Sequence, residues 1–351
     1  MRIDSNLGGD LRTVQDTART LEDAGYGGLW IGETQHDPFL SSLQAINATR
    51  TATVGTSIAI AFARTPMTLA NIGFDLAQAS EGRFVLGLGS QVKAHIERRF
   101  SMPWSRPAAR MRELVLAMRA IWACWQDGTR LDFRGDFYTH TLMTPFFSPP
   151  AHAYGPPPVY LAGVNELMTE VAGEVADGFF LHPFTTSRYI EEVTLPALRR
   201  GRAKAGRVGP DGEGTLDGFT LAGPTFVTVG RDEVELAAAA AGTRGQIAFY
   251  ASTPAYRGVL DLHGWGDLQP ELTRLTRQGR WAELGDLIDD DMLRAFSVVG
   301  TPEEVGEQLR AKLTGVYDRA TFYTAYKVAS EIWPALLDAS RPEGAPAGRG
   351  E

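Results

Sequence analysis

Apolar residues along this chain fall in short unbroken blocks separated by longer stretches of helical periodicity. Arg2 to Leu7, Gly27 to Glu33, Ser57 to Phe62, Phe84 to Gly89, Pro158 to Gly163, Gly178 to Phe184, Phe219 to Gly230 and Asp318 to Tyr326 are blocks of this kind. They lack the alternation of a half-exposed sheet, so they read as eight strands buried on both faces. The intervening stretches carry helical stripes. Leu11, Val14, Ala18, Leu21 and Ala24 follow an Asp10 cap; a second helix runs from about Ser41 to Arg50. Thr65 and Pro66 cap a third, and Met111, Leu114, Val115, Met118, Ile121 and Trp125 mark a long one. Further helices are expected over about 167–176 and 188–205, and helical material continues from Asp232 to about residue 299. Thr301-Pro302-Glu303-Glu304 is a capping box that starts the helix before the last strand.

Eight strands separated by helices predict one α/β domain, a closed (β/α)8 TIM barrel over residues 1–338. Such a barrel takes about 250 residues. The surplus falls where the rhythm is lost, in insertions at about 90–158, after strand 4, and 251–299, before strand 8. The first of these, with its prolines and aromatics, accommodates one hairpin. Residues 339–351 read as a disordered tail.

Composition narrows the function. A formal charge of -8 and a pI near 5.4 argue against nucleic acid or an anionic membrane as partner. The single cysteine, Cys124, excludes an internal disulfide. No signal peptide and no apolar run of membrane-spanning length is present, so a cytoplasmic location is expected. The histidines show no HxH or HExxH spacing, so no metal site is expected. GxSxG, P-loop and GxGxxG motifs are all missing, which argues against serine hydrolase, nucleotide hydrolase and Rossmann dehydrogenase chemistry.

In a barrel, functional groups come from the loops that follow the strands. After strand 2, His36 beside Asp37 reads either as a proton donor or as a loop histidine bonded to backbone. Glu33 reads either as a partly desolvated acid or as the structural partner of Arg64. After strand 5, Ala162-Gly163-Val164-Asn165 places an Asn cap and free helix amides above the barrel, and reads either as an ordinary capped helix start or as a phosphate site. His182, after strand 6, reads as a ligand contact or a satisfied core histidine. Phe39, Trp104 and Tyr250 are packing residues or the roof of an apolar planar ligand.

The blocks GGLWIGETQHDPF, VGTSIAIAFARTPMTLA, GRFVLGLGSQVKAHIERRF, PPVYLAGVN, VADGFFLHPF and AFSVVGTPEEV, in this order, resemble the bacterial luciferase-like superfamily. The nearer resemblance is to its branch that uses the deazaflavin coenzyme F420. It implies a flavin-type ring across the carboxyl ends of the strands, backed by a bulge with a non-prolyl cis peptide at Ser57–Ile58, next to Ala59. It further implies that Gly89, Ser90 and Gln91, with the strand 5 helix start, hold the ribityl chain and phosphate, and His182 is expected beside them as a cofactor contact. Sugar-phosphate dehydrogenases of this group carry an Asp-His pair after strand 2 and a glutamate after strand 4. Here those places hold Glu33-Thr34 and the Gly89 to Val92 segment, which leaves His36 as the nearest proton donor. The expected activity is hydride transfer between F420 and a small or peptide-like organic substrate, reducing an activated C=C or C=N bond. An FMN-dependent monooxygenase and a non-catalytic cofactor-binding paralogue are the alternatives. The resemblance also implies a homodimer.

Overall fold

A computed structural model of the chain describes residues 1–341; the expected tail from residue 342 onward lies outside the described residues. Eight parallel strands close a barrel in chain order: β1 (Arg2–Asn6), β2 (Gly28–Ile31), β3 (Thr53–Thr56), β5 (Phe84–Gly89), β8 (Val159–Ala162), β9 (Gly178–Phe180), β10 (Thr220–Val229) and β12 (Arg319–Tyr323). Registers such as Ile3↔Ala320, Ser5↔Leu29, Gly87↔Tyr160 and Leu221↔Phe179 complete the ring. Strand β4 (Ala59–Ile60) continues β3 after a break and pairs with β5, while β6 (Phe133–Arg134) and β7 (Thr139–His140) form the antiparallel hairpin of the first insertion.

Helices α1 (Val14–Asp23), α2 (Pro38–Ala48), α3 (Pro66–Ala79), α4 (Lys93–Arg98), α5 (Pro107–Asp127) and α6 (Glu166–Val175) surround the first five barrel strands. Several departures from the sequence expectation have local causes. Helix α1 starts at Val14, because the Asp10 side chain bonds to Arg12 and its carbonyl closes a turn, leaving Leu11 46% exposed. Helix α2 starts earlier than expected, at Pro38, because Asp37 is its cap and accepts from the amides of Phe39 and Leu40. Residues 187–204 are interrupted by a π segment, Ile190–Thr194, just before Pro196, which has no amide hydrogen to continue the α ladder. The last helix, Ile332–Ser340, runs two residues into the expected tail.

A ninth parallel strand was not anticipated. Strand β11 (Ser297–Gly300) pairs with Phe226–Val229, the distal half of β10, whose proximal half already serves β9 and β12. Strand β10 therefore overhangs the barrel. Around this overhang a separate apolar cluster forms from Phe184, Phe226, Ile247, Leu272 and Phe296, joining the second insertion to one side of the mouth.

The barrel lumen holds Trp30, Val85, Tyr160, Phe180 and Ala222. Near the amino ends of the strands it is closed by an ion pair. Arg319 donates from Nε and Nη2 to Asp4 at 2.7 and 3.0 Å, and Trp30 Nε1 donates to the same carboxylate at 2.8 Å. Burial pushes the Asp4 carboxyl up, against the opposing charge and hydrogen bonds of Arg319. Gly28 must be glycine here, since a Cβ would lie 2.3 Å from Arg319 Nη2.

Candidate active site at the barrel mouth

At the carboxyl end of β3 the Ser57–Ile58 peptide is cis, as the resemblance implied. The run expected as one strand to Phe62 is broken there: β3 stops at Thr56, two residues pair again, and Ala61–Ala63 form a 3-10 turn. Neighbouring strands hold this bulge on two sides. On the β5 side, Thr56 Oγ1 donates to the Gly87 carbonyl at 2.7 Å and accepts from the Gly87 amide at 2.9 Å. On the β2 side, Ser57 N donates to the Ile31 carbonyl and Glu33 N to the Ile58 carbonyl.

Glu33 is built into this support. Its Oε2 accepts from Ile60 N and Arg64 Nη1, each at 2.7 Å, and its Oε1 accepts from Arg64 Nη2 at 3.1 Å, with the side chain 7% exposed. Of the two readings of Glu33, the geometry displays the Arg64 pair. Arg64 also donates to the Ile60 carbonyl and to Asp37 Oδ2 at 2.9 Å, and its guanidinium lies over the Phe39 ring. Burial works against the Arg64 charge, but the hydrogen bonds and charges of Glu33 and Asp37 outweigh it and the guanidinium pKa is raised. Asp37 is thus spent on a helix cap and on Arg64. His36 beside it is exposed and lies against Gly9, where a Cβ would come within 3.2 Å of the histidine Cβ.

The mouth itself is a cavity of about 220 Å³, walled by Asn6, Trp30, Ser57, Phe180, Tyr250 and Tyr323 among others. Of the residues singled out from sequence, Ser57 and Tyr250 face it. Phe39 is buried beneath Arg64, and Trp104 packs edge-on against Phe62 with centroids 5.8 Å apart. Ala59 is buried in the short β4 strand, and the Ile58 side chain lies across Gly89, where a Cβ would meet it at 2.7 Å. Ser90 and Gln91 bond within their own turn: Ser90 Oγ donates to the Gln91 carbonyl, and Gln91, at φ 59°, accepts from Val92 N.

Beside the mouth lies a second hollow of about 20 Å³, lined by Gly163, Val164, Asn165, His182, Thr185 and Tyr256 among others. Asn165 caps α6 by accepting from Met168 N at 3.1 Å, which leaves the earlier amides of the helix free. The Thr185 hydroxyl is buried here without a hydrogen-bond partner. Ala162, half-buried, ends β8 just before this turn. His182 stacks on Tyr256 at 4.7 Å and meets Tyr250 edge-on at 4.9 Å. Its Nδ1 accepts from Phe184 N, so the ring proton belongs on Nε2, 3.2 Å from the Tyr256 hydroxyl. Burial pushes the imidazole pKa down to about 4, so it is neutral at pH 7.

A larger cavity of about 670 Å³ lies on the outer wall between α1 and the Ile332–Ser340 helix, bordered by Leu21, Tyr26, Phe322 and Trp333. The mouth is the better site, because barrel chemistry gathers at the carboxyl ends of the strands. Among the described residues no group of three or more potential ligands is placed for a metal ion, and no helix is long and apolar enough to cross a membrane.

Residues 2–319 match the luciferase-like monooxygenase family. The chain belongs to that family. An uncharacterized protein of Mycobacterium tuberculosis (strain ATCC 25618 / H37Rv) is 51% identical over 319 residues, covering 91% of this chain and 92% of its own. The 5,10-methylenetetrahydromethanopterin reductase of Archaeoglobus fulgidus is 26% identical over 299 residues, 83% of each chain. Among solved structures, the coenzyme F420-dependent tetrahydromethanopterin reductase of Methanopyrus kandleri superposes with a TM-score of 0.73 at 19% identity, covering 96% of this chain and 97% of the other. Within this luciferase-like barrel the sequence did not point to Asn6, Tyr256 or Tyr323. Tyr323 lines the mouth with its hydroxyl in contact with that of Tyr250, 73 positions away, a pairing that no local pattern signals.

Proposed function

We propose that this luciferase-like protein is an F420-dependent oxidoreductase that transfers a hydride between the deazaflavin and an uncharged organic substrate, reducing an activated C=C or C=N bond. The observation that carries this reading is the arrangement of the mouth. A braced bulge at Ser57–Ile58 walls one side, and the α6 amino end with the orphaned Thr185 hydroxyl lies beside it. Ser57, Ile58 and Ala59 would back the ring, with Gly89, Ser90 and Gln91 beside it. The ribityl chain and phosphate would follow Ala162 to Asn165 and the His182 to Thr185 segment. The small hollow has room for about one water, so the phosphate is assigned to its lip. When bound, F420 supplies a two-electron hydride donor in place of the oxygen chemistry of a flavin. The coenzyme F420 in the name of the Methanopyrus kandleri reductase supports the same cofactor.

The test is a titration of the purified protein with F420 and with FMN, followed by absorbance and fluorescence. Saturable F420 binding with hydride transfer to an acceptor is the expected result; tight FMN binding with oxygen uptake would make it an FMN monooxygenase instead. Gly89→Ala should lower F420 affinity about tenfold with little loss of stability, because the new methyl displaces the flexible Ile58 side chain toward the ring. Unchanged affinity would remove Gly89 from the site. We assign His36 to the rim, in proton exchange with water. His36→Ala should slow steady-state turnover by less than about tenfold and leave F420 affinity unchanged; an unaltered rate would take His36 out of the reaction.

A further inference from the structure

Reduction of a polarised double bond needs a proton as well as a hydride. The side chains around the mouth leave few sources for it. Glu33 is locked to Arg64 and Ile60, Asp37 caps α2, and His182 is neutral with both ring nitrogens engaged. Among the described residues, the titratable groups lining the mouth cavity are Tyr250 and Tyr323, whose hydroxyl oxygens lie 3.0 Å apart. Both rings are fixed. Tyr323 sits edge-on to Phe226 at 4.9 Å, and Tyr250 meets both His182 and Tyr256 edge-on. A hydrogen shared between two phenols leaves the accepting one with its own O–H free for a third partner.

We propose that Tyr323 is the proton donor to the substrate and that Tyr250 is its positioning partner, donating its hydroxyl hydrogen to the Tyr323 oxygen. This rests on the F420 reading above. With a conjugated enone, the hydride from reduced deazaflavin adds to the β-carbon and the π electrons move to the carbonyl oxygen. That oxygen takes the proton of Tyr323, giving an enol that tautomerises to the saturated ketone. Tyr323 is left as a phenolate, held by the Tyr250 hydrogen bond, and recovers a proton from water. The oxidised deazaflavin releases its ring N–H proton to water, so two electrons and two hydrogens reach the substrate. Among the described residues no lysine, arginine, aspartate or glutamate lines the cavity, which suits a substrate uncharged at its reacting end.

The experiment uses the full-length protein, Tyr323→Phe, Tyr250→Phe and His36→Ala, with cyclohex-2-enone and a panel of ketones and imines as acceptors. Cofactor fluorescence first reads F420 affinity, expected within twofold of wild type in all three variants. No binding to the wild-type protein overturns the F420 reading and the proposal together. Infrared difference spectra of cyclohex-2-enone on the protein holding oxidised F420 then read the hydrogen bond directly. The carbonyl band should move to lower frequency in the wild type and return to its free position in Tyr323→Phe; an unshifted band in the wild type overturns the proposal. Single-turnover oxidation of bound reduced F420, run in H2O and D2O, should be about 100-fold slower in Tyr323→Phe and about tenfold slower in Tyr250→Phe. The solvent isotope effect of the wild type should disappear in Tyr323→Phe. A Tyr323→Phe rate within threefold of wild type, or the larger loss falling on His36→Ala, overturns the donor role and leaves the F420 reading standing. Wild-type protein that keeps its reduced F420 through the whole panel overturns both.

Discussion

Replacing Arg319 by methionine lowers the unfolding free energy by about 3–5 kcal/mol at pH 7, measured by urea denaturation. The residue closes the barrel where the first strand meets the last, and its side chain is only 10% exposed. Removing it leaves Asp4, fully buried, with Trp30 Nε1 as its remaining side-chain hydrogen-bond donor. It also strips the Gly27 carbonyl of the Arg319 Nη2 donor. Burial already pushes the Asp4 carboxyl up, and Arg319 is the main opposing influence. Without it the folded variant keeps a proton on Asp4 through a pH range in which the unfolded chain has lost one. The folded state then binds more protons than the unfolded state, so the variant loses stability as pH rises from the ordinary carboxylate range toward neutrality. The deficit should therefore be smaller near pH 5 than at pH 7. Asp4→Leu combined with Arg319→Met should recover most of the loss, because no uncompensated charge remains. A single variant as stable as wild type at pH 7 would show that the pair does not hold the barrel closed.

That ion pair also shows where sequence reading reaches its limit. The strand blocks were legible because burial on both faces forbids polar alternation, and the caps at Thr65-Pro66, Asn165 and Thr301-Glu304 appear as read. What failed to show depends on partners distant in the chain. Strand β11 is four residues of SVVG between two helices, and it pairs only because β10 overhangs the barrel. Asp4 and Arg319 are 315 positions apart, and Tyr250 and Tyr323 are 73. The bulge was legible only through family resemblance. Ser57 to Phe62 is locally a smooth apolar run, and the groups that bend it belong to β2 and to the chain after it.

Arg64 is the most exacting of the groups that hold this bend, and Arg64→Met should weaken F420 binding about 100-fold while lowering stability by about 3 kcal/mol. Its guanidinium joins four acceptors: both oxygens of Glu33, the Ile60 carbonyl and Asp37 Oδ2. It thereby ties the turn after the bulge to the loop after β2, with its flat face on Phe39. Methionine can fill the space over Phe39 but leaves the Glu33 carboxylate, 7% exposed, with Ile60 N as its remaining donor. The carboxylate must then move toward water or take a proton, and Ile60 N moves with it. Arg64→Lys keeps the charge but concentrates it in one ammonium, which cannot reach all four acceptors at once. It should bind F420 about tenfold more weakly than wild type and keep most of the stability. Glu33→Gln in the Arg64→Met background removes the unpaired charge, so the double variant should be more stable than Arg64→Met alone while its F420 affinity stays low. That split separates two roles for the pair: the charge balance governs stability, and the shape held at Ile60 governs the cofactor wall. Fluorescence titration of F420 and urea denaturation on the same four proteins decide it. Wild-type F420 affinity in Arg64→Met would show that the bulge holds its form without this brace.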